Sequence, residues 1–109
     1  MTLKKAPGSK RAALPRLSDH TKSFAKDWMR LSHSGRYNMR RLKEVMLLLV
    51  ANDEQLGAEW SDHQLTGEWR DHRECHIGGE FLLIYKLESR RSNQEVIFVR
   101  AGTHAELFE

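Results

Sequence analysis

The chain has 109 residues and a single cysteine, Cys75, which excludes an intramolecular disulfide and a cysteine-built zinc cluster and implies one domain with one modest core. Its longest apolar run, Val45 to Ala51, is far short of the roughly 20 residues a membrane span needs. The basic start has no apolar segment behind it, so no secretory signal is read there and a cytoplasmic location is expected. The formal charge of +3 is unevenly spread, with 12 Lys/Arg against 3 Asp/Glu in residues 1–45 and 6 against 12 in residues 46–109. A basic half of this kind suits a polyanion or an acidic protein partner, and equally a solvated helix surface.

Residues 1–18 hold both prolines, five Lys/Arg and no acid, a composition expected of a flexible extension in its first dozen residues. The pattern over 13–19 allows a short edge strand. From Thr21 the period becomes helical, with Phe24, Trp28 and Leu31 at i, i+4, i+7 and Lys22, Lys26 and Arg30 elsewhere on the surface. Ser34-Gly35 ends that helix. Asn38 is an N-cap for a second, whose stripe is Leu42, Val45, Met46 and Leu49. Residues 52–72 are polar and irregular. Arg73 to Ile77 reads as a strand, Gly78-Gly79 as a two-residue hairpin turn, and Glu80 to Leu87 as a long apolar strand. That turn would set Ile77 against Glu80 and His76 against Phe81, on one face of the sheet. Glu95 to Arg100 is a third strand, followed by a short tail from Gly102 to Phe108. Helices followed by a meander give an α+β layer structure.

Six histidines are present, four of them between His63 and His104. None form the H-x-x-x-H or HExxH pattern of a helical metal site, and His72 and His76 flank the start of a strand, where a four-residue spacing does not chelate. A phosphate-binding glycine loop and a nucleophile elbow are also lacking. What remains is imidazoles, an arginine and carboxylates near strand ends. Metal-free phosphodiester cleavage uses such parts: a base for the 2′-hydroxyl, an acid for the leaving oxygen and a cation for the phosphorane. Imidazole titrates near neutrality and serves in either role. Histidines at loop and strand ends are also commonly structural, so the residues alone leave both readings open.

The stretch Asp62-His63-Gln64-Leu65-Thr66-Gly67-Glu68-Trp69-Arg70 resembles the DHxLxGxW segment of YafQ-type toxins in the RelE superfamily. Arg73-Glu74-Cys75-His76 and Leu83-Ile84-Tyr85-Lys86-Leu87 follow at the expected distances. Arg100-Ala101-Gly102-Thr103-His104-Ala105-Glu106-Leu107-Phe108 resembles the RTGTHxxLF terminus of that family, and Phe24-Ala25-Lys26-Asp27 fits its first helix. The resemblance implies a RelE-like α+β fold, with two N-terminal helices packed on a small antiparallel sheet and a short C-terminal tail or helix. Residues 1–18 would be an extension and 19–109 the toxin domain. It further implies a ribosome-dependent mRNA endonuclease of a toxin–antitoxin pair, with a cognate antitoxin, the ribosome and mRNA as partners, no membrane, and no cofactor or metal. The catalytic positions carried across are His63, His76, Glu80, Arg100 and His104. Phe81 and Phe108 are aromatic RNA-contacting positions, and Lys22, Lys26 and Arg30 a basic docking face.

Two positions depart from the family pattern: Glu80-Phe81 stand where Asp-Trp is usual, after Gly79 in place of a common proline. Glu keeps the carboxylate on a longer arm, and Phe keeps a stacking face without the indole N–H. Two other functions compete. One is a non-catalytic superfamily inhibitor of the gyrase-poison type, which lacks the histidine set. The other is a plain RNA- or protein-binding domain.

Overall fold

The computed structural model describes residues 14–108; the flexibility expected of the first dozen residues lies outside them. In chain order the elements are β1 (Leu17–His20), α1 (Lys22–Ser34), α2 (Met39–Ala51), β2 (His63–Gln64), β3 (Arg73–Gly78), β4 (Phe81–Ser89), β5 (Gln94–Thr103) and α3 (His104–Phe108). Single 3-10 turns at Ala58–Trp60 and Gly67–Trp69 punctuate the irregular stretch.

Both long helices begin and end on local chemistry. The Thr21 hydroxyl accepts the Phe24 N–H at 2.9 Å and donates to the Val99 carbonyl at 2.7 Å, so one side chain caps α1 and ties it to β5. Gly35, at φ 72°, closes the helix in the left-handed conformation. The Asn38 side chain accepts from Arg41 N at 3.0 Å to start α2. The stripe residues Phe24, Leu31, Leu42, Val45 and Leu49 are buried against the sheet, with Trp28 and Met46 partly buried at the margin. Burying a side chain of this size stabilises the fold by about 1.5–3 kcal/mol.

The sheet has five strands in the order β1-β5-β4-β3-β2. It is mixed rather than purely antiparallel, because β1 pairs parallel with β5, Leu17 opposite Glu95 and His20 opposite Phe98. All four β1 residues are exposed, so backbone pairing with the free edge of β5 holds this strand. The short edge strand that the pattern over 13–19 allows is thus present, three residues of it within that range and its end at His20. The boundary expected at residue 18 falls inside it. β5 also runs further than the sequence suggested, to Thr103, and passes directly into α3. There the Thr103 hydroxyl accepts Glu106 N at 3.2 Å while Glu106 Oε1 accepts Thr103 N at 2.8 Å, a reciprocal capping box.

The hairpin register corrects the expected pairing of His76 with Phe81. The turn is Gly79-Glu80, with Gly79 at φ 55°, Gly78 opposite Phe81 and His76 opposite Leu82. The ladder shifts between His76 and Gly78, which places a bulge at Ile77 and leaves that side chain in the core at 2% exposure. Phe81, Leu83 and Tyr85 therefore face the helices, with Cys75 and Ile77. Leu82 and Ile84 face the other way, beneath Leu107 of α3 with Leu65, Trp69, Val99 and Phe108 around them. Both sheet faces are covered at β4, the physical reason its sequence is almost continuously apolar.

Candidate active site

The face of the sheet away from α1 and α2 gathers most of the expected site residues. Register places His63 of β2 opposite Glu74 of β3, Glu74 opposite Ile84 of β4, and Ile84 opposite Arg100 of β5. One row thus crosses four strands. The neighbouring row runs His76, Leu82, Gly102, two residues before His104. With strands about 4.8 Å apart, the rows span from a histidine pair at one side to an arginine and a third histidine at the other.

The histidine pair is organised by a residue that sequence reasoning missed. Glu74, with 7% of its side chain exposed, holds Oε2 at 3.2 Å from His63 Nε2 and 3.3 Å from His76 Nε2. The two rings lie 6.0 Å apart. His63 Nδ1 stands 2.8 Å from the Ser61 carbonyl, which only accepts, so the tautomer inferred there carries its proton on Nδ1. The contact from Nε2 to Glu74 is then a hydrogen bond only when a further proton sits between them. Strand alternation carried the missing signal: Glu74 and His76 are two apart on β3 and share a face.

The same three donor atoms lie within 4.8 Å of one another, a two-imidazole, one-carboxylate set of the kind that suits zinc or copper. Spacing along the chain could not reveal it, because His63 comes from a different strand. The Nδ1 contact to a backbone carbonyl is also the support that a metal-binding imidazole commonly has.

At the other side, Arg100 is tied to Asp27 of α1, Nε to Oδ2 at 2.7 Å and Nη2 to Oδ1 at 3.2 Å. This pairing raises the Arg100 pKa above its ordinary value. Burial pushes the Asp27 carboxyl upward, but hydrogen bonds from Arg100, from the Ala101 N–H and from Arg30 outweigh it and hold the carboxylate below its usual range. Arg100 keeps 31% of its side chain exposed, and Nη1 has no acceptor among the described residues. His104 is the exposed first residue of α3, its N–H donating to the Glu80 carbonyl at 3.2 Å. Its ring packs 4.8 Å from Phe108, which meets Trp69 edge-on at 5.7 Å. Glu80 is exposed in the hairpin turn; its carbonyl meets His104, and the residue also lines a hollow with Arg36, Tyr37, Asn38 and Arg41 on the helix side.

Two expected RNA contacts are displaced. Phe81 is 5% exposed on the helix face, its ring 5.1 Å from Tyr37, so it is core and not a stacking platform. The cause is the bulge, which turns it away from His76. Arg30 is already paired, with Glu106 at 2.8 Å and Asp27 at 3.3 Å, and so links α1 to α3. Lys22 and Lys26 are exposed and have no carboxylate within 4 Å among the described residues.

A family model described as "Bacterial toxin of type II toxin-antitoxin system, YafQ" matches residues 16–109. The mRNA interferase toxin YafQ of Escherichia coli (strain B / BL21-DE3) is 36% identical over 90 residues, 83% of this chain and 92% of that one. The structure is also similar to YafQ in the E. coli DinJ-YafQ toxin–antitoxin complex, with TM-score 0.75 and 34% identity over 88% of this chain and 100% of that one. A metal-bound toxin from Helicobacter pylori has TM-score 0.74 and 31% identity, covering 85% and 99%.

Proposed function

The chain belongs to the YafQ family of bacterial type II toxin–antitoxin toxins, and on that premise we propose that it is an mRNA interferase cutting by acid–base catalysis on the sheet face away from α1 and α2, around the margin of the α3 cover. The observation that carries this reading is the row from His63 and Glu74 to Arg100, with His76 and His104 flanking it on the same face.

In the proposed reaction the 2′-oxygen attacks phosphorus while the P–O5′ bond breaks, leaving a 2′,3′-cyclic phosphate and a 5′-hydroxyl. The His63–Glu74–His76 cluster takes the 2′-hydroxyl proton, since a carboxylate between two rings stabilises the imidazolium that forms. His104 delivers a proton to the departing 5′-oxygen. Arg100 offers Nη1 to the phosphorane, its orientation fixed by Asp27. A cation held by His63, Glu74 and His76 would supply Lewis acidity at that face. The acid–base route instead needs those imidazole lone pairs free. Few groups here read bases, so the substrate is held in line by the ribosome, with Lys22 and Lys26 contacting phosphates. A cognate antitoxin, acidic or amphipathic, lies over the basic helices or the site mouth; the E. coli relative is found in a DinJ-YafQ toxin–antitoxin complex.

The test is primer extension and single-turnover cleavage on programmed ribosomes. Expected are new 5′-hydroxyl ends at fixed codon positions, far slower cutting of naked RNA, and no loss with EDTA at constant free magnesium. Equal cutting of naked RNA would refute ribosome dependence, and a loss restored by zinc would refute the metal-free route.

A further inference from the structure

His63 sits on the shortest strand of the sheet. β2 is two residues long, at the edge, and is paired on one side only. It lies between Ser61 at φ 47° and Gly67 at φ 66°, within an irregular stretch. A strand this short does not fix a half-exposed ring through its ladder alone.

The preceding residue, Asp62, is held far more firmly. Its Oδ1 accepts the Tyr85 hydroxyl at 2.5 Å, and its Oδ2 accepts Arg73 Nη2 at 2.8 Å and Nε at 3.2 Å. Tyr85 and Arg73 are direct register partners on β4 and β3, so together they form a two-donor seat on the helix side of the sheet. Burial and then Asp62 raise the Tyr85 pKa, and Asp62 raises that of Arg73, so both remain donors throughout the neutral range. Successive residues of an extended chain project to opposite faces. Anchoring Asp62 beneath the sheet therefore aims His63 at Glu74 above it.

From this juxtaposition we infer that Asp62 is a positioning residue for the His63 imidazole, acting through the seat formed by Tyr85 and Arg73. It touches no reacting atom. Its role is to set the backbone from which His63 reaches Glu74 Oε2 and the Ser61 carbonyl. This explains the Asp-His pair of the DHxLxGxW stretch, in which only the histidine has a part in the chemistry.

The inference rests on the proposed nuclease reading for its kinetic arm only. Asp62→Ala, Asp62→Asn and Tyr85→Phe would be compared with wild type in three measurements. These are thermal unfolding, single-turnover cleavage at varied ribosome concentration, and the ¹⁵N shifts of the two His63 ring nitrogens, which report the tautomer. In Asp62→Ala the ring should lose its fixed Nδ1–H tautomer. The saturated rate should fall by roughly 10²-fold, the usual cost of a misplacement near 1 Å, with the half-saturating concentration unchanged. Asp62→Asn keeps an oxygen for one donor and should recover part of the rate. Tyr85→Phe removes a single hydroxyl and should move the ring signals in the same direction; it decides the matter if Asp62→Ala fails to fold. Unchanged His63 signals in folded variants, or a wild-type saturated rate in Asp62→Ala, would overturn the inference. A wild-type protein that does not cut at all would sink the nuclease reading and leave the ring measurement as the test of Asp62.

Discussion

Asp27 is the buried carboxylate on which Arg100 of β5 and Arg30 of α1 converge, so its replacement tests the logic of the fold directly. It is 4% exposed and receives Arg100 at 2.7 Å, the Ala101 N–H at 3.0 Å and Arg30 at 3.3 Å. β1 covers the edge of β5 only as far as Phe98, so the Ala101 N–H lies beyond its reach and takes Asp27 as acceptor. In Asp27→Ala that amide is left unpaired, at a cost of about 1–3 kcal/mol. Arg100 loses its partner as well. Removing one member of a fully buried ion pair costs about 3–5 kcal/mol, but Arg100 is 31% exposed and water recovers part of this. The expected destabilisation is thus about 2–4 kcal/mol, a large share of the stability of a small domain. Urea unfolding at pH 7 measures it, as a lower midpoint with an unchanged slope. Asp27→Asn, which keeps an acceptor for the amide, should fall between. Because the folded Asp27 pKa lies below its ordinary value of 3.8, its contribution is full above that pH and lost as pH falls through the folded pKa. The gap between wild type and Asp27→Asn should therefore close on acidification. A loss below about 1 kcal/mol in Asp27→Ala at pH 7, less than one unpaired buried amide, would refute the reasoning.

Two further outcomes follow from the placement of the remaining site residues. His104→Ala should stay folded, since the ring is exposed and α3 is capped by Thr103 and Glu106, yet lose roughly 10²–10⁴ in single-turnover cleavage; His33→Ala, on the exposed end of α1, should cut normally, and a folded His104→Ala variant within about threefold of wild type would remove that residue from the mechanism. Replacing Lys22 and Lys26 by Gln should weaken ribosome binding and flatten its salt dependence by about one unit of log–log slope per lysine, with the saturated rate intact. A collapse of that rate with binding preserved would reassign them to the chemistry.

The elements legible in the sequence were those whose stabilising forces are local. The α1 and α2 stripes, the Asn38 cap and the Gly35 stop act over three or four residues, so periodicity exposes them. The strands were harder in proportion to how far away their partners lie. β1 has no buried residue and is held by the free edge of β5, so the pattern over 13–19 allows an edge strand but fixes neither its bounds nor its parallel partner. The hairpin turn was misplaced by one residue because Gly78 and Gly79 both permit it; burial of Ile77 decides the register, and that is a property of the core. α3 did have a local signal, the Thr103-His104-Ala105-Glu106 capping box, which a reading of that stretch as tail passes over.

The candidate site divides along the same line. His63, His76, Arg100 and His104 were singled out by motif and do share one face. The groups that give them chemical character are reached only through tertiary structure. Glu74 becomes a shared carboxylate because β2 pairs with β3. Asp27 orients Arg100 from 73 residues away, and Tyr85 fixes Asp62 across 23. The same long-range placement re-aims candidates: the Ile77 bulge sends Phe81 into the core, and Glu106 pairs with Arg30, which stays 43% exposed. A reacting group can be recognised by its type and motif, because its chemistry is its own. A partner that tunes or aims it is recognised by position, because a carboxylate acquires that role only from what the fold sets beside it.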